Sequence, residues 1–148
     1  MKSVQPPDGV EISTNKSNLD VEYIHEYLAN HSYWAEGIPL ETVRKSIEGS
    51  LCFGVYAEGR QIGFARVISD QATFAYLADV FIDAQFRGRG LASQLLTTIM
   101  ADPRLEGMRN WMLGTKDAHQ LYAKFGFKPL EDPQRIMRIN VPDIYLRH

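Results

Sequence analysis

The stretch Val80-Phe81-Ile82-Asp83-Ala84-Gln85-Phe86-Arg87-Gly88-Arg89-Gly90-Leu91-Ala92-Ser93 decides how this chain is read. An apolar run feeds a short basic loop with two glycines, after which Leu91, Leu95, Leu96 and Ile99 recur at helical spacing. Strand, loop and helix therefore follow one another. The first turn of a helix leaves backbone N–H groups without internal partners, and the helix dipole places partial positive charge at the same end. Such an end is an anion site, and phosphate is its usual guest. Gly88 and Gly90 let the backbone come close to a phosphate, Ala92 keeps the first turn slim, and Arg87 and Arg89 add charge at the rim. Taken alone, the pattern also fits a plain strand–helix turn with two solvated arginines. Two nucleotide-binding alternatives fail on spacing. A P-loop needs Lys-Ser/Thr after its second glycine, where this chain has Leu91-Ala92. A dinucleotide fingerprint needs three glycines opening an early βαβ unit, whereas this loop follows four expected strands.

Working back from the loop, Phe74 to Ile82 is apolar except at Asp79, and Ile62 to Ile68 is nearly continuous, as in strands covered on both faces. Leu51 to Tyr56 sets Leu51, Phe53 and Val55 on one face, with Cys52 as a small packed residue opposite. Glu58-Gly59 and Asp70-Gln71 are the turns between them. Before these strands, Val21, Ile24 and Leu28, then Leu40, Val43 and Ile47, predict two helices. Asn18 or Asp20 is placed to cap the first, and Gly49 falls where the second calls for a residue tolerant of positive φ. Val10 to Thr14 reads as a first strand, reached through a loose Pro6-Pro7 segment. Beyond the loop helix, Trp111-Met112-Leu113 reads as a short strand, Ala118, Leu121, Tyr122 and Phe125 as a helix face, and Phe127–Leu130 and Arg135–Val141 as two last strands. The predicted order is β-α-α-β-β-β-α-β-α-β-β. This is an α/β mixed sheet with an antiparallel first half, in one domain with its core over about 10–141.

Length and composition narrow the function classes. The chain has 148 residues, of which 45% are hydrophobic and 23% charged, with a formal net charge of -2. That balance excludes a disordered tail and a dominant electrostatic grip on nucleic acid or an anionic membrane. Arg87 and Arg89 are too few to make a basic stripe. A lone cysteine, Cys52, excludes an internal disulfide framework and a cysteine-built zinc site, and no metal site is expected. No apolar run approaches the ~20 residues that span a bilayer, and the polar N-terminus lacks a signal-peptide core. The expectation is a soluble, cytoplasmic protein.

Arg87-Gly88-Arg89-Gly90-Leu91-Ala92 fits the R/Q-x-x-G-x-G/A signature of the GNAT superfamily of N-acetyltransferases. Leu121-Tyr122-Ala123-Lys124-Phe125-Gly126-Phe127 looks like that superfamily's second landmark, L-Y-x-x-x-G-F. The resemblance covers about Val10 to Ile139 and implies a GNAT-like fold with its acetyl-CoA site at the splayed centre of the sheet. It implies that Arg87, Gly88, Arg89, Gly90, Leu91, Ala92 and Ser93 hold the pyrophosphate. It further implies that the backbone of Val80, Phe81 and Ile82 pairs with the pantetheine arm, and that the Ile82 N–H faces the thioester oxygen. Tyr122 takes the place of the family's tyrosine near the thioester sulfur. Where many relatives carry a cofactor-contacting asparagine, this chain offers Thr115 and Asp117. Dimers are common in the superfamily, so a homodimer is a possible state, although the chain carries no interface signature.

The chemistry agrees with those roles. Aminolysis of a thioester needs a neutral amine, stabilisation of a developing oxyanion and a proton for the departing thiolate. Fixed backbone donors meet the second need. A tyrosine of pKa ~10 remains protonated at neutral pH and meets the third; read from periodicity alone, Tyr122 is a core aromatic. No Glu stands between Gln61 and Leu105, so Asp79 is the candidate base, and its alternative role is structural partner to Arg66. Deprotonation through water, with no dedicated base, is a third route. Strand alternation places Tyr76 opposite to Asp79. Tyr33 and Trp34, with Glu36 nearby, either wall an acceptor site for a cationic or aromatic amine or plug the core. Asp117 is also a helix-cap candidate, and His119 reads as a surface residue, one turn before Tyr122. The leading expectation is direct acetyl transfer from acetyl-CoA to a small-molecule primary amine. A peptide or protein amine is the alternative acceptor, and a non-catalytic acyl-CoA sensor or regulatory module the alternative function.

Overall fold

The computed structural model of the chain describes residues 9–147. The Pro6-Pro7 segment lies outside them. Strand β1 (Val10–Ser13) is followed by helices α1 (Val21–His31) and α2 (Leu40–Glu48), then by strands β2 (Leu51–Ala57), β3 (Arg60–Ser69) and β4 (Phe74–Ile82). Helix α3 (Leu91–Met100), strand β5 (Asn110–Leu113) and the short helix α4 (His119–Ala123) complete the regular elements, apart from 3₁₀ turns. The sheet has the order β1-β2-β3-β4-β5. Its first four strands are antiparallel neighbours, and β5 joins β4 in parallel. The sheet is thus a meander closed by one crossover through α3.

Helices cover both faces. Phe53, Val55 and Leu77 of the sheet meet Leu95, Leu96 and Ile99 of α3 on one side. Cys52, Phe64 and Phe81 meet Ile24, Leu28, Val43 and Ile47 of α1 and α2 on the other. This explains why β3 reads as a continuous apolar run. Asp20 caps α1 by accepting from the Tyr23 N–H at 3.0 Å. Glu58 and Gly59 both have positive φ, at 52° and 78°, as a tight hairpin of primed type requires. Gly49 departs from expectation. It ends α2 at φ −91°, outside the left-handed region, while its own N–H bonds back to Lys45 and Ile47 carbonyls. Among the described residues no helix is long and apolar enough to cross a membrane.

The two C-terminal strands expected at Phe127–Leu130 and Arg135–Val141 do not form. A strand needs a partner edge as well as an alternating pattern. The outermost strand, β5, spans only Asn110–Leu113, and Pro129, Pro133 and Pro142 remove backbone donors along the returning chain. The segment instead contributes to the wall of a cleft. Arg138, Asn140 and Pro142 line that cleft, while Met137 and Ile139 between them are 93% and 98% exposed.

Candidate active site

The loop after β4 is built as its sequence suggests. Gly88 and Gly90 adopt φ of 79° and 75°, a region costly to any residue with a Cβ, and nothing lies within 4 Å of where a Cβ would stand on either. Gly90 is the N-cap of α3 and supplies no side-chain cap. The first helical bond runs from the Gln94 N–H to the Gly90 carbonyl at 3.1 Å. The N–H groups of the first turn therefore stay open. Ile82, Phe86, Arg87, Gly88 and the residues from Gly90 to Ser93 surround a hollow of about 230 Å³. Arg87 turns out to brace the loop. Its guanidinium donates to the Ile82 carbonyl at 3.1 Å and to the Tyr27 hydroxyl at 2.9 Å, and Tyr27 stacks on Phe81 with ring centroids 3.8 Å apart. Arg89 rests over the Phe86 ring at 5.2 Å.

Upstream of the loop, the sheet opens. The β4–β5 pairing runs from Phe74↔Asn110 to Leu77↔Leu113 and stops there. Beyond Leu77, the far edge of β4 has no neighbouring strand among the described residues. The Asp83 N–H donates to the Ile62 carbonyl of β3 at 2.7 Å. Successive strand N–H groups point to opposite edges, so that of Ile82 points into the gap. An open strand edge that leads to an uncapped helix N-terminus suits an extended ligand with a phosphate at one end, the shape and charge of acyl-CoA.

The gap has a local cause at Asp79. Pairing of β3 with β4 shifts register between Phe64 and Arg66, placing one extra residue in β4, and Asp79 takes φ 55° there. This β-bulge inverts the side-chain alternation: Leu77 and Val80 share one core cluster and Phe81 belongs to the other. Tyr76 and Asp79 consequently line the same cleft, contrary to the simple alternation that sets them apart. Both Asp79 carboxylate oxygens are engaged. Oδ2 accepts from Arg66 Nε at 2.6 Å and Oδ1 from Trp34 Nε1 at 2.7 Å. Arg66 also donates to Ser50 Oγ at 3.0 Å. This is the structural partnership that the sequence offers as the alternative to a base. An Asp79→Asn variant keeps the shape and the tolerance of positive φ but leaves a half-buried Arg66 unpaired. The expected loss is about 3 kcal/mol, read as a lower urea midpoint at unchanged m-value.

The cleft beside this bulge has a volume of about 690 Å³. Tyr33 and Trp34 form one wall. At 53% and 40% exposed they are not core plugs. The Tyr33 hydroxyl accepts the Lys116 N–H at 2.8 Å and so ties the α1–α2 loop to the β5–α4 loop. Glu36 is exposed and is not among the residues that line the cleft. Tyr122 reaches the same space from α4, almost wholly buried, and burial pushes its hydroxyl up to about 12, with the negative charge of Asp117 adding to it. Thr115 and Asp117 line the cleft too. It is Thr115, rather than Asp117, that steadies the start of α4, its hydroxyl accepting the Ala118 N–H at 3.0 Å. His119 is exposed. Cys52 is buried, its thiol pushed up to about 11 by that burial, which is a packing role.

The structure thus gathers Tyr33, Trp34, Tyr76, Asp79, Val80, Thr115, Asp117 and Tyr122 around one cleft, and gathers Ile82, Arg87, Gly88 and the residues from Gly90 to Ser93 around a second hollow, whose lining does not include Arg89. Phe81 is turned into the opposite core. Sequence reasoning misses Lys116, Arg138, Asn140 and Tyr145 as cleft residues. A signal for two of them is present: Arg138 and Asn140 alternate with apolar Met137 and Ile139.

Comparison with known proteins agrees with this geometry. Residues 48–129 match the acetyltransferase (GNAT) domain family. The crystal structure of a GNAT-family protein from Xanthomonas campestris pv. campestris is 50% identical, with a TM-score of 0.90 over 92% of this chain and 96% of that one. An acetyltransferase-like protein of Gibberella zeae is 29% identical over 76% of this chain and 75% of its own length. A GNAT acetyltransferase from Elizabethkingia anophelis, crystallised with acetyl-CoA bound, shares the fold at a TM-score of 0.63 and 16% identity, over 84% of this chain and 79% of that one. Glycine loop, opened sheet and sequence kinship converge, and the chain belongs to the GNAT acetyltransferase family.

Proposed function

We propose that this protein is a cytoplasmic, acetyl-CoA-dependent N-acetyltransferase that passes the acetyl group directly to a primary amine of a small molecule, with both substrates bound together. The observation that carries the reading is the course of β4: its residues from Tyr76 to Val80 line the cleft that holds Tyr122, and Ile82 at its end lines the hollow at the uncapped N-terminus of α3. In this reading the first-turn N–H groups from Gly90 to Ser93 hold the pyrophosphate, and the free edge of Val80–Ile82 holds the pantetheine arm. Acetyl-CoA supplies an activated acyl thioester.

The protein's own groups then act as follows. The amine nitrogen forms a bond to the acetyl carbon, the carbon–sulfur bond breaks, and the amine gives up a proton. The Ile82 N–H, pointing into the gap, stabilises the carbonyl oxygen as it gains charge. Tyr122, protonated at neutral pH, donates a hydrogen bond to the departing sulfur. A hydroxyl at about 12 gives up its proton reluctantly to a thiolate of ordinary pKa ~8.5, so Tyr122 stabilises charge on sulfur while the amine is the net source of the proton. Asp79, gripped by Arg66 and Trp34, positions the bulge, and water in the cleft takes the amine proton.

One observation favours a second reading, a non-catalytic acyl-CoA sensor: the carboxylate nearest the gap is fully engaged in structural bonds. Calorimetric titration of acetyl-CoA into the full chain tests what the readings share, with micromolar binding expected. Acetyl-CoA-dependent thiol release on adding amines then separates them. Absence of binding by folded protein overturns both.

A further inference from the structure

We infer that the amine acceptor carries an anionic group, a carboxylate or a phosphate, received between Lys116 and Arg138 at the mouth of the cleft. This deepens, and rests on, the transferase reading above. The charged residues that line the cleft are Arg66, Lys116, Arg138, Asp79 and Asp117. Arg66 and Asp79 neutralise each other at 2.6 Å. Lys116 and Arg138 remain, and neither makes an ion pair or a side-chain hydrogen bond to any carboxylate among the described residues. Asp117 alone opposes them, so the free charges at the mouth sum to one positive.

The two cations come from different walls. Lys116 lies on the β5–α4 loop, where its ammonium stands 5.4 Å over the Tyr33 ring and its backbone N–H is held by the Tyr33 hydroxyl. Arg138 lies on the C-terminal segment, whose alternation turns it toward the cleft and leaves Met137 and Ile139 outside. A guanidinium and an ammonium facing one space make a receptor for carboxylate or phosphate oxygens through charge-assisted hydrogen bonds. The same positive excess repels a bare ammonium. An anionic tail thus anchors the substrate at the mouth, while the reacting nitrogen extends inward toward Tyr122.

The test uses the full chain, acetyl-CoA and three short primary amines: ethanolamine, phosphoethanolamine and β-alanine. Thiol release gives kcat/KM for each, and quenching of Trp34 at the cleft wall gives binding of each without turnover, with Trp34→Phe as the optical control. At least one anionic amine is expected to exceed ethanolamine about tenfold in kcat/KM and in affinity, and the stronger arm identifies carboxylate or phosphate. Arg138→Gln is expected to shrink that ratio mainly through KM, with added salt acting in the same direction. Ethanolamine preferred or equal overturns the inference, and so does an Arg138→Gln loss of equal size on all three amines. If no amine is turned over while acetyl-CoA binds, the transferase reading fails, and the fluorescence titration still decides whether the mouth selects an anion.

Discussion

A Gly90→Glu substitution is expected to weaken acetyl-CoA binding at least about 100-fold, which corresponds to about 2.7 kcal/mol. Two effects combine. Gly90 holds φ 75° as the N-cap of α3, a conformation that costs an L-residue about 1–2 kcal/mol. The new carboxylate also stands where the helix dipole and the open N–H groups of the first turn await an anion, and like charges brought together at a binding site cost several kcal/mol. No atom lies within 4 Å of the position of the new Cβ, so the fold accommodates the side chain. Thermal melting should therefore fall by only a few degrees, while the calorimetric heat of acetyl-CoA binding disappears. Unchanged affinity would remove the pyrophosphate from this loop. Gly90→Ala separates the two effects, since it keeps the backbone cost and omits the charge.

Tyr122→Phe should lower kcat about 100-fold and leave the Kd for acetyl-CoA within a factor of two or so, because a single hydrogen bond to the leaving sulfur contributes only as charge develops there. The substitution removes one hydroxyl that makes no hydrogen bond among the described residues, so the helix and its T-shaped contact with Phe127 survive. The pH profile supplies a second check. With its hydroxyl at about 12, Tyr122 stays protonated across the ordinary working range. In the native protein kcat/KM is expected to rise with pH as the acceptor amine loses its proton, with no falling limb from Tyr122 below about pH 10. A falling limb near neutrality that vanishes in Tyr122→Phe would show a tyrosine far more acidic than its burial dictates. Unchanged kcat would leave Tyr122 a core residue and turn attention to the sensor reading.

Much of this was readable in residue order because it rests on local patterns. The stripe Leu91, Leu95, Leu96 and Ile99 is the buried face of α3, and Glu58-Gly59 is the hairpin turn that its φ angles demand. Gly88 and Gly90 were legible for the same reason: a phosphate loop is written in consecutive residues. What escaped depends on distant partners. Arg135 to Val141 reads as a strand, yet no edge of sufficient length receives it, and nothing within the segment reveals that β5 stops at Leu113. The faces of Tyr76 and Asp79 were misread because a bulge is set by the register of two strands, here Phe64 and Arg66 against Ala78 and Phe81. Lys116 and Arg138, 22 positions apart in sequence, face one cleft only through the path of the C-terminal segment.

The bulge at Asp79 bears on more than catalysis. A sheet that splays open in its middle carries an unpaired strand edge even when no ligand is present, and such edges invite a strand from another molecule. Natural sheets blunt exposed edges with bulges and with charges turned inward, and β4 has both in a single residue. Asp79 thus puts a bulge and an inward-turned charge on this edge at the same position where it lines the cleft. Deleting that one residue would restore a regular ladder and leave a flat apolar edge, Ala78-Val80-Phe81-Ile82, free to recruit its own kind. Loss of that residue from this chain is expected to appear in the insoluble fraction before it appears in an assay.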